Sequence, residues 1–190
     1  GKGTDNEAYK KVACEKWLDV RAFGQVFAFK GSSVSVGVRG PVTVQTATSV
    51  STVEVDSKQI TRCVNAEAVE GIASDRMGTK HSIPFGLYVI RGSISAYLAE
   101  RTGFSEEDAE VLKEALKTLF VGDESAARPA GSMEVERVYW WKHNTKLPEV
   151  SPKAVFDSVK IQPKVDIPSK FEDYEITLET PEGCVEPEIF

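Results

Sequence analysis

An α+β fold is predicted by three features of this 190-residue chain. Apolar residues recur at three- and four-residue spacing from Tyr9 to Gly24, the period changes to two between Val34 and Gln45, and a helical period returns from Ser105 to Phe120. Further alternating stretches lie between and after the two helical ones, so helix and sheet must share one core.

The first helix opens on Thr4 followed by Glu7, a capping-box pairing, and carries Tyr9, Ala13, Trp17 and Val20 to about Phe23, where Gly24 supplies the stop. Val34, Val36 and Val38 then alternate with small polar residues, as do Val42 and Val44 with Thr43 and Gln45, and a hairpin turning at Arg39-Gly40-Pro41 is expected. Arg21, at the helix end, and Arg39, at the turn, place two fixed cations beside its polar face. Val50 to Thr61 alternates around Val53, Val55 and Ile60 as a long strand. From Asn65 to Ser82 the period is lost and Gly71 and Gly78 interrupt mixed charges; a connection of this length is functional or mobile. Pro84 introduces Phe85 to Ile94, apolar enough for an interior strand near the sheet centre.

Gly103 breaks the chain, and Ser105 with Asp108 caps a second helix carrying Ala109, Leu112, Leu116, Leu119 and Phe120. Its acidic first turn, followed by Lys113 and Lys117, suits the helix dipole, and Gly122 ends it. Glu134 to Trp141 reads as a strand, with two weaker ones at Val155 to Val165 and Tyr174 to Leu178.

The order helix, strands, helix, strand is a β-α-β-β-α-β unit with its first strand absent, a ferredoxin-like plan shared with the RNA-recognition sheet. One RRM-like domain, 1–190, is expected, with a long insertion at about 62–82 and an acidic extension at about 166–190. In such a sheet the first strand lies between the third and fourth, so the strands near Pro84 and Trp141 are expected not to pair directly.

Composition, 41% hydrophobic and 27% charged, is that of a globular chain. No apolar run is long enough for a membrane helix and the N-terminus has no secretory pattern, so a cytoplasmic protein is expected, with no membrane partner. Cys14, Cys63 and Cys184 are far apart and only His81 and His143 accompany them, which suggests neither a disulfide framework nor a zinc site. No cofactor is expected. A net charge of −6 argues against a nucleic-acid partner. Between Trp17 and Arg101, however, Lys and Arg outnumber Asp and Glu, and the acid excess gathers at Glu106 to Asp108 and beyond Glu172. One basic face and one acidic face are compatible with that distribution.

The segments Asp19 to Gly24, Val38-Arg39-Gly40-Pro41-Val42, Ile60-Thr61-Arg62, Met77-Gly78 with Lys80-His81, Pro84 to Tyr88, Ala99 to Ser105 and Ser125-Ala126-Ala127-Arg128 resemble, in that order, the backbone subunit of the CRISPR type I-C surveillance complex, of the Cas-seven superfamily. The series covers nearly the whole chain. Family members begin with a strand and an Asn/Gly-rich loop that Gly1 to Lys16 does not resemble, so the likeness is to the later two-thirds. It implies the RRM-like core, and it implies that the long loop is the family's thumb, folding over guide RNA with cations on phosphate and an apolar side chain wedging the base stack. The implied partners are CRISPR guide RNA, target DNA through that RNA, further copies of the chain head to tail, and the other subunits of the interference complex.

Candidate RNA-binding residues are Arg21, Arg39, Gln45, Arg62, Arg76, Met77, Lys80 and His81. A guanidinium offers several donors to phosphate and stays charged, although an exposed Arg more often makes only a weak salt bridge. Met77 is the wedge candidate; a lid packing its Met on its own domain is the plainer alternative. The run from Gly31 to Gly37 suits close approach of another backbone, or a flexible hairpin tip. It is neither a Walker loop nor a Rossmann turn. With no paired carboxylates and a lone His81, no catalysis is expected. A guide-RNA-processing endonuclease using Lys80 and His81, or a protein-interaction module without nucleic acid, are the other readings.

Overall fold

The computed structural model describes residues 2–28, 35–62 and 76–190. Most of the Ser/Gly-rich run and residues 63–75 of the expected thumb, Cys63 included, lie outside the described residues. In chain order the elements are α1 (Lys2–Lys16), α2 (Leu18–Phe23), β1 (Gly24–Ala28), β2 (Ser35–Arg39), β3 (Val42–Val44) and β4 (Thr48–Ser49). There follow β5 (Asp56–Arg62), β6 (Arg76–Ser82), β7 (Tyr88–Val89), β8 (Gly92–Ile94), α3 (Ala96–Thr102) and α4 (Glu106–Lys117). Last come β9 (Tyr139–Trp140), α5 (Pro152–Asp157), β10 (Val159–Pro163), a 3-10 turn at Phe171–Asp173, β11 (Tyr174–Leu178) and β12 (Glu188–Ile189). The chain forms two compact units, Gly1–Thr46 with Ile90–Val159 and Leu178–Phe190, and Ala47–Val89 with Lys160–Thr177.

In the first unit the expected single helix is two. Trp17 is extended (φ −123°, ψ 119°) and starts α2, while Thr4, the expected cap position, falls within the α1 span. Gly24 stops α2 as expected, at φ 82°. A Cβ there would lie 2.4 Å from the Val38 carbonyl oxygen, so only glycine fits. Ala13, Cys14 and Val20 make one core cluster, with Phe27 and Val38 packed on it.

The hairpin expected between the two valine strands does not form. β2 pairs antiparallel with β1, from Gly24 opposite Arg39 to Ala28 opposite Ser35, and β3 pairs with β8, Val42 opposite Ile94. The link explains why: Gly40 and Pro41 are buried, and a Cβ on Gly40 would lie 2.3 Å from the Ala22 carbonyl oxygen. Packed against α2, the link hands the chain from one ladder to the next instead of folding it back. Ala22, Val42 and Phe104 form a second cluster, joined by Leu18, Ile94, Ala99 and Leu112. One face of β3–β8 therefore lies under α2, α3 and α4. By the two-residue period Thr43 and Ser93 belong to the other face, and both are exposed.

Helix α3 is not foreseen by the sequence reading; Ser95 caps it and Gly103 closes it at φ 78°. Helix α4 begins as expected. The Asp108 amide donates to Ser105 Oγ at 3.2 Å and the Ser105 amide to Asp108 Oδ2 at 3.0 Å, but the helix ends at Thr118, short of Gly122. The Glu134 to Trp141 strand shrinks to β9, whose partner is β12. Lys113 bridges α4 to β12, with Nζ 2.7 Å from Glu188 and 2.9 Å from Glu110, and lies over the Trp140 ring at 5.4 Å.

In the second unit β4 pairs with β7, and β5 pairs with β6. The long strand expected from Val50 is irregular as far as Val55. The stretch from Phe85 to Ile94 is not one interior strand but β7 and β8, each with a single partner strand, and Ile90 between them is exposed. β10 pairs with β11, the latter as expected, whereas the start of the Val155 stretch is α5, capped by Ser151. Tyr174 Oη donates to Ser51 Oγ at 3.0 Å and its ring stands 6.5 Å from Phe85. Among the described residues every sheet has two strands, and the strands near Pro84 and Trp141 share no ladder.

Asp108 has a second task. Its Oδ2 accepts from Arg21 Nε at 2.7 Å and its Oδ1 from Arg21 Nη2 at 2.6 Å, with side chains 10% and 21% exposed. The Arg21 hydrogen bond, chiefly, holds the Asp108 carboxyl below its usual range. That contribution to stability is fully present above the unfolded-state value of about pH 3.9 and is lost as pH falls through the lower folded value. Asp108→Asn should cost about 3 kcal/mol near neutrality, because the guanidinium stays behind without its counter-charge. Urea midpoints of the two proteins should converge as pH falls below about 3.9 and on through the lower folded value; a gap unchanged at the acid end would assign the loss elsewhere.

Candidate nucleic-acid interface

Five of the eight sequence candidates fall on one hairpin. β5 and β6 run antiparallel over seven rungs, Asp56 opposite Ser82 through Arg62 opposite Arg76. The segment 76–82, expected within an aperiodic loop, is thus a paired strand. Alternation sorts the rungs. Lys58 opposite Lys80 and Ile60 opposite Gly78 share one face, in the same parity as the Arg62 and Arg76 rung. Ser57 opposite His81, Gln59 opposite Thr79 and Thr61 opposite Met77 share the other.

From Ser57 to Thr61 and from Met77 to Ser82 every residue is exposed, Ile60 to 51% and Met77 to 66%. A two-stranded ribbon solvated on both faces is marginal by itself. Like charges directly across a ladder also destabilise it. Lys58 Nζ lies 2.8 Å from Asp56 Oδ2, which raises the lysine's pKa. Opposed ammonium groups on one face and exposed Ile60 and Met77 are the chemical types that suit phosphate and bases.

The remaining three candidates lie in the first unit, in different circumstances. Arg39, at the end of β2, is exposed and has no ion pair or side-chain hydrogen bond with the described residues. Gln45 is exposed beyond β3, its amide N–H donating to the Arg91 carbonyl at 2.7 Å and its side chain unoccupied among the described residues. Arg21 is engaged within the protein. Nε and Nη2 are spent on Asp108, and Nη1 donates to the Cys14 carbonyl oxygen at 3.3 Å. Arg21 makes a salt bridge, as an Arg more often does, but with a partner 87 residues away along the chain, Asp108.

The sequence reading misses Lys58, opposite Lys80, and a polar row on β3–β8 in which Thr43 Oγ1 lies 2.8 Å from Ser93 Oγ beside Gln45 and Arg91. Arg91 lies over the Phe156 ring at 5.9 Å. Strand alternation marks each of these as outward, yet only the pairing register brings them together. Tyr139 and Trp141 stack on each other, centroids 6.0 Å apart, and Lys113 lies over Trp140, so each of these three rings already has a partner.

Chemistry beyond binding finds little support. His81 Nδ1 is 2.8 Å from Ser57 Oγ, but Lys80 belongs to the opposite face of the ribbon, so the acid–base pair that an endonuclease would take from these two neighbours does not converge. Among the described residues no group of three His, Cys, Asp or Glu side chains is placed to hold a metal, and no helix is long and apolar enough to cross a membrane.

A family model described as CRISPR-associated protein Cas7 matches residues 2–179. The chain belongs to the Cas7 family. Membership makes it a CRISPR guide-RNA-binding protein of the backbone class. No individually curated protein matches the sequence. In this Cas7-family chain the match includes both the helical segment α1–α2 and the β5–β6 ribbon.

Arg21 and Arg39 should separate cleanly in experiment. Arg39→Ala should leave the urea midpoint within about 0.5 kcal/mol of the parent and weaken single-stranded RNA binding. Arg21→Ala should cost about 3 kcal/mol of stability, through the uncompensated Asp108. Equal destabilisation by both substitutions would contradict these placements.

Proposed function

We propose that this Cas7-family chain is the non-catalytic backbone subunit of a type I-C interference complex, coating the spacer of the CRISPR guide RNA in the cytoplasm. The observation that carries the reading is the β5–β6 ribbon, a solvated arm with opposed lysines on one face and Met77 on the other. It serves as the base of the family's thumb, an insertion at about 62–82. Arg39, Gln45, Arg62, Arg76, Met77, Lys80 and His81 contact the RNA, Lys58 joins them, and Arg21 acts through Asp108 by fixing the helices. The core is a ferredoxin-like one of the RRM kind, a reading supported by the antiparallel β3–β8 ladder with helices on one face and a polar row on the other.

The mechanism is positional. Spacer sequence differs from guide to guide, so the subunit must grip phosphate and sugar and leave base edges free to pair with target DNA. Copies stacked head to tail follow the RNA as an open filament, and the same filament meets the other subunits of the complex. Trp17, Phe23 and Val111, around an apolar hollow between α2 and α4, offer surface for such protein contacts. The acidic extension from about 166 stays away from the RNA.

Labelled single-stranded RNAs of unrelated sequence, titrated by fluorescence anisotropy at several salt concentrations, test this reading. The parent should bind them with similar affinity and leave them intact. In Lys58→Gln/Lys80→Gln all affinities should fall by a similar factor, and the salt slope should become shallower by about 1.4, roughly 0.7 for each phosphate contact. Loss confined to one sequence, or cleavage of the RNA, would overturn it.

A further inference from the structure

The polar row on β3–β8 carries a hydrogen-bonding imbalance. Thr43 Oγ1 donates to the Ser93 carbonyl oxygen at 3.4 Å and lies 2.8 Å from Ser93 Oγ. Either hydroxyl can be the donor in the short contact, so one of the two protons is spent within the rung in both arrangements. Two hydroxyls carry four lone pairs and two protons, and the pair therefore offers more acceptor than donor capacity to whatever lies over it. A phosphate oxygen, which only accepts, leaves those lone pairs unused. A group that both donates and accepts uses them.

The surroundings narrow the donor. Both residues are exposed, on the face of the ladder opposite Val42 and Ile94, which pack against the helices. Two residues further along each strand, roughly 7 Å away at the backbone, stand Gln45 and Arg91, the guanidinium of the latter over the Phe156 ring. That cation suits a phosphate next to the donor. Among nucleic-acid groups with a donor close to phosphate, base N–H groups vary with sequence, whereas the ribose 2′-hydroxyl is present at every nucleotide of RNA and at none of DNA.

We propose that the Thr43–Ser93 rung accepts a hydrogen bond from a ribose 2′-hydroxyl, with Arg91 and Gln45 on the adjacent phosphate, and so makes this chain prefer RNA to DNA. The proposal rests on the reading that the chain binds guide RNA along this face and adds how it tells that RNA from DNA.

The test uses the whole chain with one sequence in three chemistries: single-stranded RNA, DNA and 2′-fluoro RNA, the last retaining the ribose pucker but lacking the donor. The parent should bind RNA about fivefold or more tightly than both others, the equivalent of one net hydrogen bond. Thr43→Val/Ser93→Ala should bind RNA as weakly as the parent binds DNA, with DNA affinity unchanged, and the exchange Thr43→Ser/Ser93→Thr, which keeps both hydroxyls, should retain the preference. Equal binding of RNA and 2′-fluoro RNA by the parent overturns the proposal with no variant needed. So does a double variant that loses RNA and DNA alike, or one that keeps the full preference. A parent that binds none of the three fails at the earlier step and removes the guide-RNA reading itself.

Discussion

Much of the first unit depends on one ion pair. Arg21 ends a short helix and Asp108 begins another, and the two-point contact between them fixes both distance and orientation in a way that a lysine, with its single ammonium, would not. Asp108 is doubly employed, since the oxygen that receives Arg21 Nε also receives the Ser105 amide. The guanidinium in turn reaches the Cys14 carbonyl at the back of α1. Three helices are thereby registered against one another around Ala22, Val42 and Phe104, and the β3–β8 ladder inherits its place from them. Burial of the Cys14 thiol beside this pair pushes its pKa up, the nearby guanidinium only partly opposing, so it behaves as a small apolar filler.

The second unit is built on a different principle. Tyr174, buried and hydrogen-bonded to Ser51, gives it a local anchor, whereas the β5–β6 ribbon extends with no apolar face covered. Its seven backbone rungs are joined by a Ser57–His81 side-chain contact, while Ile60 and Met77 stay exposed.

Local signals were legible in the sequence and distant ones were not. Gly24, the Ser105–Asp108 box and the Tyr174–Leu178 strand could be read because a few neighbouring residues determine each: a positive φ, a reciprocal cap, a period of two. The break at Trp17 escaped because apolar spacing runs straight through it. β1 escaped because Gln25 to Ala28 is too short to show a period, and its pairing with β2 depends on Gly40 and Pro41 being buried, which composition does not reveal. For the candidate site the types of residue were legible and the neighbours were not. Met77, Lys80 and His81 were singled out for their chemistry, but only the register shows that His81 faces away from Lys80 and that Lys58 faces toward it. The partner of Arg21 was not legible for the same reason: it is fixed by the fold and not by proximity along the chain.

The distribution of tryptophan gives the two units different optical visibility. Trp17, Trp140 and Trp141 are the three tryptophans of the chain, and all belong to the first unit, where Lys16 lies over one ring and Lys113 over another. Light absorbed and emitted by indole therefore reports the helices around Arg21 and Asp108 and has no reporter of its own in the ribbon. Tyr88 and Tyr174 are the chromophores native to the second unit among its described residues. A tryptophan placed at Gln59, on the polar face of the ribbon away from the opposed lysines, would give that silent half a signal of its own.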